Sequence, residues 1–236
     1  MWWVALIATT LPSVMNALIL ARAQAIGGFY GWQTMLGQSL VLGNLLLAIG
    51  FYGLLGVYLF ASEYSDRTWE HLMVMPISRT AVLAAKLVVF FGLTAVTALF
   101  GVLASTILGL TVLRLPGLEL TLVWTTVQTA VTTTLLTSCL MTVTIWATMR
   151  VRNYIVPIAI LIGLTVVNVS LVMFGADEAP YFPWSLPTII AVARRQTQIV
   201  PPISHWAWAL AGAVAVGGLA LMWWHAHRAD QGGGVA

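Results

Sequence analysis

The sequence predicts an all-α integral membrane protein, and three observations lead to that prediction. Of its 236 residues, 60% are hydrophobic and only 7% are charged, whereas about 25% of the residues in an average soluble domain are charged. The ten cations and seven anions fall in short clusters, and long apolar runs separate these clusters. Strands of a membrane β-barrel need only about ten residues, so runs of this length favour helices. A soluble enzyme, a nucleic-acid-binding domain and a disordered tail are all excluded.

Six runs are long enough to span a bilayer. A helix needs about 20 apolar residues to cross a hydrocarbon layer about 30 Å thick. The predicted spans are approximately 2–20, 35–60, 87–112, 121–149, 154–174 and 206–224. We therefore treat residues 1–236 as a single transmembrane domain. Its two long loops are a polar loop at 61–86 and a second loop at 175–204.

The positions of the cations predict the orientation in the membrane. With the N-terminus inside the cell, six Lys and Arg residues lie on the cytoplasmic side and four lie outside. The short loop after the fourth span carries Arg150 and Arg152 and is the clearest local indication of the inner side. We predict a multi-pass protein of the plasma membrane with both termini in the cytoplasm.

The first apolar run has a second interpretation. Residues 2–20 are followed by Ala21-Arg22-Ala23, which resembles the small-residue cleavage site of a signal peptide. However, no cation precedes the run, and the run is longer than the usual apolar core of such a peptide. Both features favour a retained span.

No catalytic, metal-binding or cofactor-binding motif is present in the sequence. The one lysine, Lys86, follows two alanines, whereas the lysine of a P-loop follows a glycine-rich turn. Glu70-His71 lacks the second histidine of a zinc-protease motif. Cys139 is the only cysteine, so an intrachain disulfide is excluded. We expect no enzymatic activity and no cofactor in this chain.

The densest polar stretch of the chain lies between the second and third spans. Read as a helix, it has Glu63 and Arg67 one turn apart on a polar face. Its apolar face has the spacing i, i+3, i+4 and i+7. The residues of that face are Trp69, Leu72, Met73 and Pro76. Pro76 is expected to end this short helix.

The residues that follow mark the entry to the third span. Ser78 is placed to cap the next helix, and Arg79 and Lys86 share a face from which both side chains reach the headgroups. Two interpretations of the whole loop remain open on physical grounds. It is either an amphipathic connector resting in the membrane interface or a helix that docks into a groove on a soluble partner.

Four short segments of this region resemble the corresponding part of ABC-2 type transporter permeases. They are Phe60-Ala61-Ser62-Glu63-Tyr64, Arg67-Thr68-Trp69, Met75-Pro76-Ile77-Ser78-Arg79 and Ala85-Lys86-Leu87. The shortness of the chain and the Glu-Tyr and Thr-Trp pairs are most similar to the small permeases of bacitracin-type and lantibiotic-immunity exporters. In one respect the chain differs from the family, because Trp2-Trp3 already opens the apolar run, where members usually have an amphipathic elbow helix.

The resemblance implies that the 61–86 loop is a coupling helix received by a separate nucleotide-binding ATPase subunit. ATP and Mg would then be bound by that partner, and two permease chains, as a homodimer or a heterodimer, would stand side by side in the bilayer. No nucleic-acid partner is expected. The residues assigned to the ATPase contact are Glu63, Arg67, Trp69, Glu70, His71, Leu72 and Pro76, and the residues assigned to anchoring the loop at the membrane are Arg79 and Lys86.

Two further features concern the outer side and the interior of the membrane. Residues 185–195 suit a short helix that cannot cross, and we expect a re-entrant or interfacial helix before the last span. Asn44, Gln128 and Asn168 lie inside apolar runs and serve either a transport pathway or helix packing. The eleven threonines between 121 and 148 favour packing, because their hydroxyls bond to their own helix or to a neighbour. Gly50, Gly53 and Gly56 in the second span likewise indicate close helix approach.

The function predicted from these features is that of the permease subunit of an ATP-binding cassette exporter. Its spans carry no buried charge, which favours a lipid-like or amphipathic cargo such as an antimicrobial peptide or drug. The alternative is a membrane interaction or assembly protein without ATPase coupling. An intramembrane enzyme is a more distant third class.

Overall fold

The computed structural model describes residues 2–28, 30–65, 78–151, 154–175, 177–194 and 203–232. Every regular element in these ranges is a helix. The α-helices are α1 Trp2–Ala25, α2 Trp32–Leu42, α3 Ile49–Ser65, α4 Arg79–Thr111, α5 Leu120–Val151, α6 Ile155–Met173, α7 Leu186–Arg194 and α8 His205–Gly232. A π-helix, Gly43–Ala48, joins α2 to α3, and two 3-10 turns, Ala179–Tyr181 and Pro183–Ser185, precede α7.

Four of these helices are long and apolar enough to cross a membrane. They are Thr80–Thr111, Leu120–Val151, Ile155–Met173 and His205–Arg228, and they carry the third to sixth predicted spans. A fifth candidate is the pair α2 and α3, which carries the second predicted span. The first predicted span, 2–20, lies on α1, whose side chains are described only from Thr10 onward. The first of the six predicted crossings therefore stays a prediction.

The second span is bent. Its two halves, Trp32–Leu45 and Ile49–Phe60, meet at 51° across the π-helix. A π-helix shifts the backbone hydrogen bonds by one residue, and such a local change of register is a common cause of kinks. The side-chain amide of Asn44 donates to the carbonyl of Leu40 at 2.9 Å, which gives that carbonyl a partner beside the bend. We call α2, the π-helix and α3 together the bent span.

Helix α5 lies at the centre of the bundle. In its most apolar stretch of 18 residues, 56% of the residues are buried, against 28% for α4, 22% for α8 and 17% for α6. It packs against α3, α4, α6, α7 and α8. The threonine-rich helix is therefore the one that the other spans surround.

Glycines allow the spans to approach one another closely. A Cβ at Gly56 of α3 would lie 2.7 Å from Ile145 of α5, and a Cβ at Gly53 would overlap Leu161 of α6. A Cβ at Gly218 of α8 would lie 2.9 Å from the backbone nitrogen of Val143. The close helix approach expected from the glycines of the second span is confirmed at these two positions of α3.

Exposed tryptophans lie near both ends of the last span. Trp206 is 75% exposed and Trp224 is 50% exposed, and the guanidinium of Arg228 lies 4.1 Å from the ring centroid of Trp224. Eighteen helical residues separate the two rings, which corresponds to about 27 Å. Tryptophans collect at the two interfaces of a bilayer whose hydrocarbon layer is about 30 Å thick. The spacing fits a full crossing by α8.

The ends of two predicted helices agree with the sequence. Ser78 caps α4, because its hydroxyl accepts a hydrogen bond from the Ala81 amide at 3.3 Å, as predicted. The short helix expected at 185–195 is α7, and its first residue, Leu186, is fully buried against Leu140 of α5 and Ala207 of α8. Whether α7 is a re-entrant or an interfacial helix stays a prediction.

Candidate functional site

Most residues assigned to the ATPase contact lie outside the described part of the chain. These are Arg67, Trp69, Glu70, His71, Leu72 and Pro76. Glu63 lies in the last turn of α3, and Arg79 is the first residue of α4; their side chains are not described. The coupling helix therefore stays a prediction, and the structure supplies the two helices that flank it.

Lys86 joins those two flanking helices. Its ammonium nitrogen donates to the carbonyl oxygen of Leu59 on α3 at 2.9 Å and lies 5.2 Å from the ring centroid of Phe60. The ring face attracts the cation, and the carbonyl supplies a hydrogen-bond acceptor. The sequence predicted that Lys86 anchors the loop at the membrane by reaching the headgroups. In the structure its ammonium group holds the start of α4 against the end of α3.

The three amides that the sequence singled out occupy three different environments. Gln128 is exposed on the outer surface of α5. Asn44 is 7% exposed at the π-helix, and Asn168 is fully buried. The three therefore do not share one environment. Their roles in a pathway or in packing stay predictions.

Asn168 connects three elements of the bundle. Its side-chain amide on α6 donates to the carbonyl of Leu45 in the π-helix and to the hydroxyl of Thr188 on α7, both at 3.4 Å. The oxygens Oδ1 of Asn168 and Oγ of the fully buried Ser185 have no hydrogen-bond partner within the described part. The middle of the bent span is thereby linked to α7.

A cavity of about 70 Å³, whose lining is mostly apolar with several hydroxyls and one amide, lies between α1, the bent span, α4 and α5. A water molecule needs about 10–15 Å³ of such space, so several waters or one small polar group fit. None of the described lining residues is charged. Its polar lining includes Ser13, Ser39, Asn44, Ser105, Thr126 and Thr133.

The depth of the cavity along α5 fits the middle of the membrane. Trp124, which is 63% exposed at the start of α5, fits the position of an interfacial tryptophan. Thr133 follows it by nine helical residues, or about 14 Å, which is roughly half of an about 30 Å hydrocarbon layer. Polar groups at this depth face one another because no water in the hydrocarbon layer can satisfy them.

The buried threonines of α5 bond mainly to their own helix. Thr129, Thr137 and Thr148 donate to the carbonyls four residues earlier at 2.8–2.9 Å. Two others reach the bent span: Thr133 accepts from Asn44 at 3.4 Å, and Thr134 shares a hydrogen bond with Tyr52 at 3.3 Å. Packing therefore accounts for most of these hydroxyls, and a smaller group lines the cavity.

Nothing in the sequence indicated that Ser13, Ser39 and Ser105 line a cavity. Each lies in an apolar run, and Ser13 and Ser105 are 92 positions apart although their oxygens lie 2.8 Å from each other. Only the packing of α1, α2 and α4 brings the three to one place. Among the described residues, no group of three or more His, Cys, Asp or Glu is placed to hold a metal ion.

Comparison with known proteins agrees with this architecture. Residues 1–168 match the family described as ABC-2 family transporter protein. The chain is also similar to the bacitracin transport permease protein of Bacillus licheniformis, with 26% identity over 147 residues, which cover 62% of this chain and 69% of that protein. No solved structure matches the chain. The family match covers well over half of the sequence, and the chain, a multi-pass membrane protein, belongs to the ABC-2 family of transporter permeases.

Proposed function

We propose that this chain is the membrane-spanning subunit of an ATP-driven exporter whose ATPase is a separate chain. The observation that supports the proposal most strongly is the family match over residues 1–168, which includes the whole predicted coupling segment 61–86. The sequence itself contains no P-loop, and its one lysine, Lys86, bonds to a carbonyl of α3. In this proposal the energy for transport comes from a partner.

In this proposal the coupling segment transmits the movement of the ATPase. Trp69 and Leu72 fill a groove on that partner, and Glu63 and Arg67 shape the helix that carries them. Because Lys86 holds α4 to α3 at 2.9 Å, a displacement of the segment moves both helices together. The bent span then passes the displacement to the membrane interior, since a π-helix is a place where a helix can change direction.

The cargo proposed here is an amphipathic compound. Exposed apolar side chains cover the outside of the described spans, and the interior offers hydroxyls and amides without charge. The similar protein from Bacillus licheniformis is named for bacitracin transport, so a peptide antibiotic is the cargo to test first. We also propose that two permease chains stand side by side, with the N- and C-termini of each in the cytoplasm.

The test of the coupling segment is Trp69→Ala in the full-length protein reconstituted with its ATPase. A tryptophan at the centre of an interface typically contributes about 2 kcal/mol or more, so docking is expected to weaken about thirtyfold. ATP hydrolysis that depends on the permease should fall accordingly, while membrane insertion stays unchanged. The measurements are ATPase activity in lipid nanodiscs and the affinity of the two subunits. Trp206→Ala, a change of the same size at an exposed site on α8, is the matched control.

Two results would count against the proposal. If Trp69→Ala stimulates ATP hydrolysis as well as the unmodified chain does, the segment is not the coupling helix. If purification in mild detergent recovers no stoichiometric P-loop protein, the chain is instead a membrane interaction or assembly protein without ATPase coupling.

A further inference from the structure

The cavity between α1, the bent span, α4 and α5 has the chemistry of a binding site. We infer that it binds an uncharged hydrogen-bond donor, namely the amide or hydroxyl end of an amphipathic molecule whose apolar part lies among the spans. The inference rests on the proposed function only in naming that molecule as cargo. The site itself follows from the hydrogen bonds of the lining residues.

Three of the hydroxyl protons around the cavity are already used within the protein. Thr126 donates to the carbonyl of Leu122 at 2.7 Å, and Thr133 donates to that of Thr129 at 2.9 Å. Ser105 donates to the carbonyl of Gly101 at 2.9 Å. A hydroxyl has one proton and two acceptor lone pairs. These oxygens therefore have acceptor capacity left for a ligand but no proton.

The amide of Asn44 has the same character. Its nitrogen donates to the carbonyl of Leu40 at 2.9 Å and to the hydroxyl of Thr133 at 3.4 Å. Both amide protons are thereby used, and what Asn44 can offer to a ligand is its carbonyl oxygen, which is an acceptor. An amide and several hydroxyls lining one cavity thus all favour a donor as their ligand.

The absence of charge decides which kind of donor fits. None of the described lining residues is acidic, so an ammonium or guanidinium group would have no counter-ion near the middle of the bilayer, where an unpaired charge is costly. An amide N–H or a hydroxyl pays no such cost. The apolar lining at Leu40, Ala98 and Val102 provides contact for the carbon chain next to the polar group.

Accessibility of the site is measured with a single cysteine. In a Cys139→Ser background, Ser39→Cys places a thiol in the cavity, and Ser138→Cys places one at a fully buried position that does not line it. Methyl methanethiosulfonate, a small neutral reagent, should modify Ser39→Cys and leave Ser138→Cys unmodified, as read by intact-protein mass spectrometry. Ser105→Cys, on α4, repeats the measurement from another wall. If both cavity cysteines are as unreactive as Ser138→Cys, the inference is wrong.

The chemical preference is measured by how well three probes protect Ser39→Cys against modification by methyl methanethiosulfonate. The probes share an eight-carbon skeleton. Octanamide carries N–H donors, methyl octanoate carries only acceptors, and octylammonium carries a charge. One hydrogen bond changes affinity by about three- to tenfold. Octanamide should therefore protect at a concentration about three- to tenfold lower than methyl octanoate, and octylammonium should protect least. Equal protection by octanamide and methyl octanoate would show a merely apolar cavity and overturn the inference.

A pair of threonine variants then assigns the preference to the cavity. Thr133→Val removes a lining acceptor, whereas Thr137→Val removes a buried hydroxyl of the same helix that does not line the cavity. The advantage of octanamide over methyl octanoate should shrink about threefold or more in Thr133→Val and persist in Thr137→Val. An equal loss in both variants would contradict the assignment. None of these measurements needs the ATPase, so their outcome is independent of whether the exporter function is correct.

Discussion

Helices α5 and α6 both cross the membrane, yet their polar and apolar residues are arranged in opposite ways. More than half of the most apolar stretch of α5 is buried, and the buried residues include seven threonines from Thr126 to Thr144. Only 17% of the corresponding stretch of α6 is buried, and its outer surface carries Ile155, Ile162, Val166 and Met173. The more polar helix is the interior one.

This difference follows from the solvent. In lipid, an apolar side chain gains little by leaving the surface, because the hydrocarbon chains are as apolar as leucine. A hydroxyl or amide, in contrast, must find a partner inside the protein. Polar residues therefore mark the interior of this bundle, and Asn168, the one amide on α6, lies on its buried side.

The largest effect is expected where the central helix meets α8. Gly218→Val places a side chain against the backbone of α5, where even a Cβ would lie 2.9 Å from the nitrogen of Val143. Overpacking of this kind costs about 1–3 kcal/mol. Gly217→Val is the matched control, because a Cβ at Gly217 meets nothing within 4 Å. Thermal unfolding in detergent should show a lower midpoint for Gly218→Val alone, and equal midpoints would mean that α8 does not approach α5 closely.

An intermediate effect is expected for Asn168, a buried amide, and none for Gln128, an amide on the outer surface. Asn168→Leu removes the bonds to Leu45 and Thr188, and hydrogen bonds between membrane helices contribute about 0.6 kcal/mol each on average. A loss of about 1 kcal/mol in unfolding free energy is expected. Gln128→Leu, at an exposed position on α5, should have no such effect. A larger loss for Gln128→Leu than for Asn168→Leu would reverse the assignment of inner and outer surfaces.

The smallest effect is expected for a threonine that bonds only within α5. Thr144 is buried and donates to the carbonyl of Met141 at 2.7 Å. Its carbonyl partner can keep the ordinary helical hydrogen bond when the hydroxyl is removed, so Thr144→Val should change the unfolding free energy by less than about 0.5 kcal/mol. The exposed Thr132→Val serves as the comparison. A loss as large as that of Gly218→Val would show that the Thr144 hydroxyl serves a neighbouring helix.

Local features of the fold were predictable from the sequence. Apolar runs located the spans because length and composition suffice for a crossing. The cap at Ser78 and the short helix near 186–194 follow from residues close together in the chain. The glycines at 53 and 56 likewise indicated close packing before their partners were known.

The site was not predictable, because its parts are distant in sequence. Nothing in Gly43-Asn44-Leu45 distinguishes a π-helix from a straight helix, and that bend places Asn44 beside Thr133, 89 positions away. The same holds for Lys86, whose hydrogen bond to the end of α3 was not indicated by its position at the edge of a span; its anchoring at the membrane stays a prediction. Such contacts depend on how the helices pack.

The central claim, that the segment between α3 and α4 receives the force of a separate ATPase, is tested most directly by photo-cross-linking in intact cells. A photoreactive amino acid at position 72 lies on the proposed docking face. One at position 119 lies in the loop between α4 and α5, at the end of α4 that is farther from the segment. We predict that position 72 cross-links to a P-loop protein of separate chain and that position 119 does not. A cross-link to that protein from position 119 alone, or from neither position in a transport-competent assembly, would contradict the account.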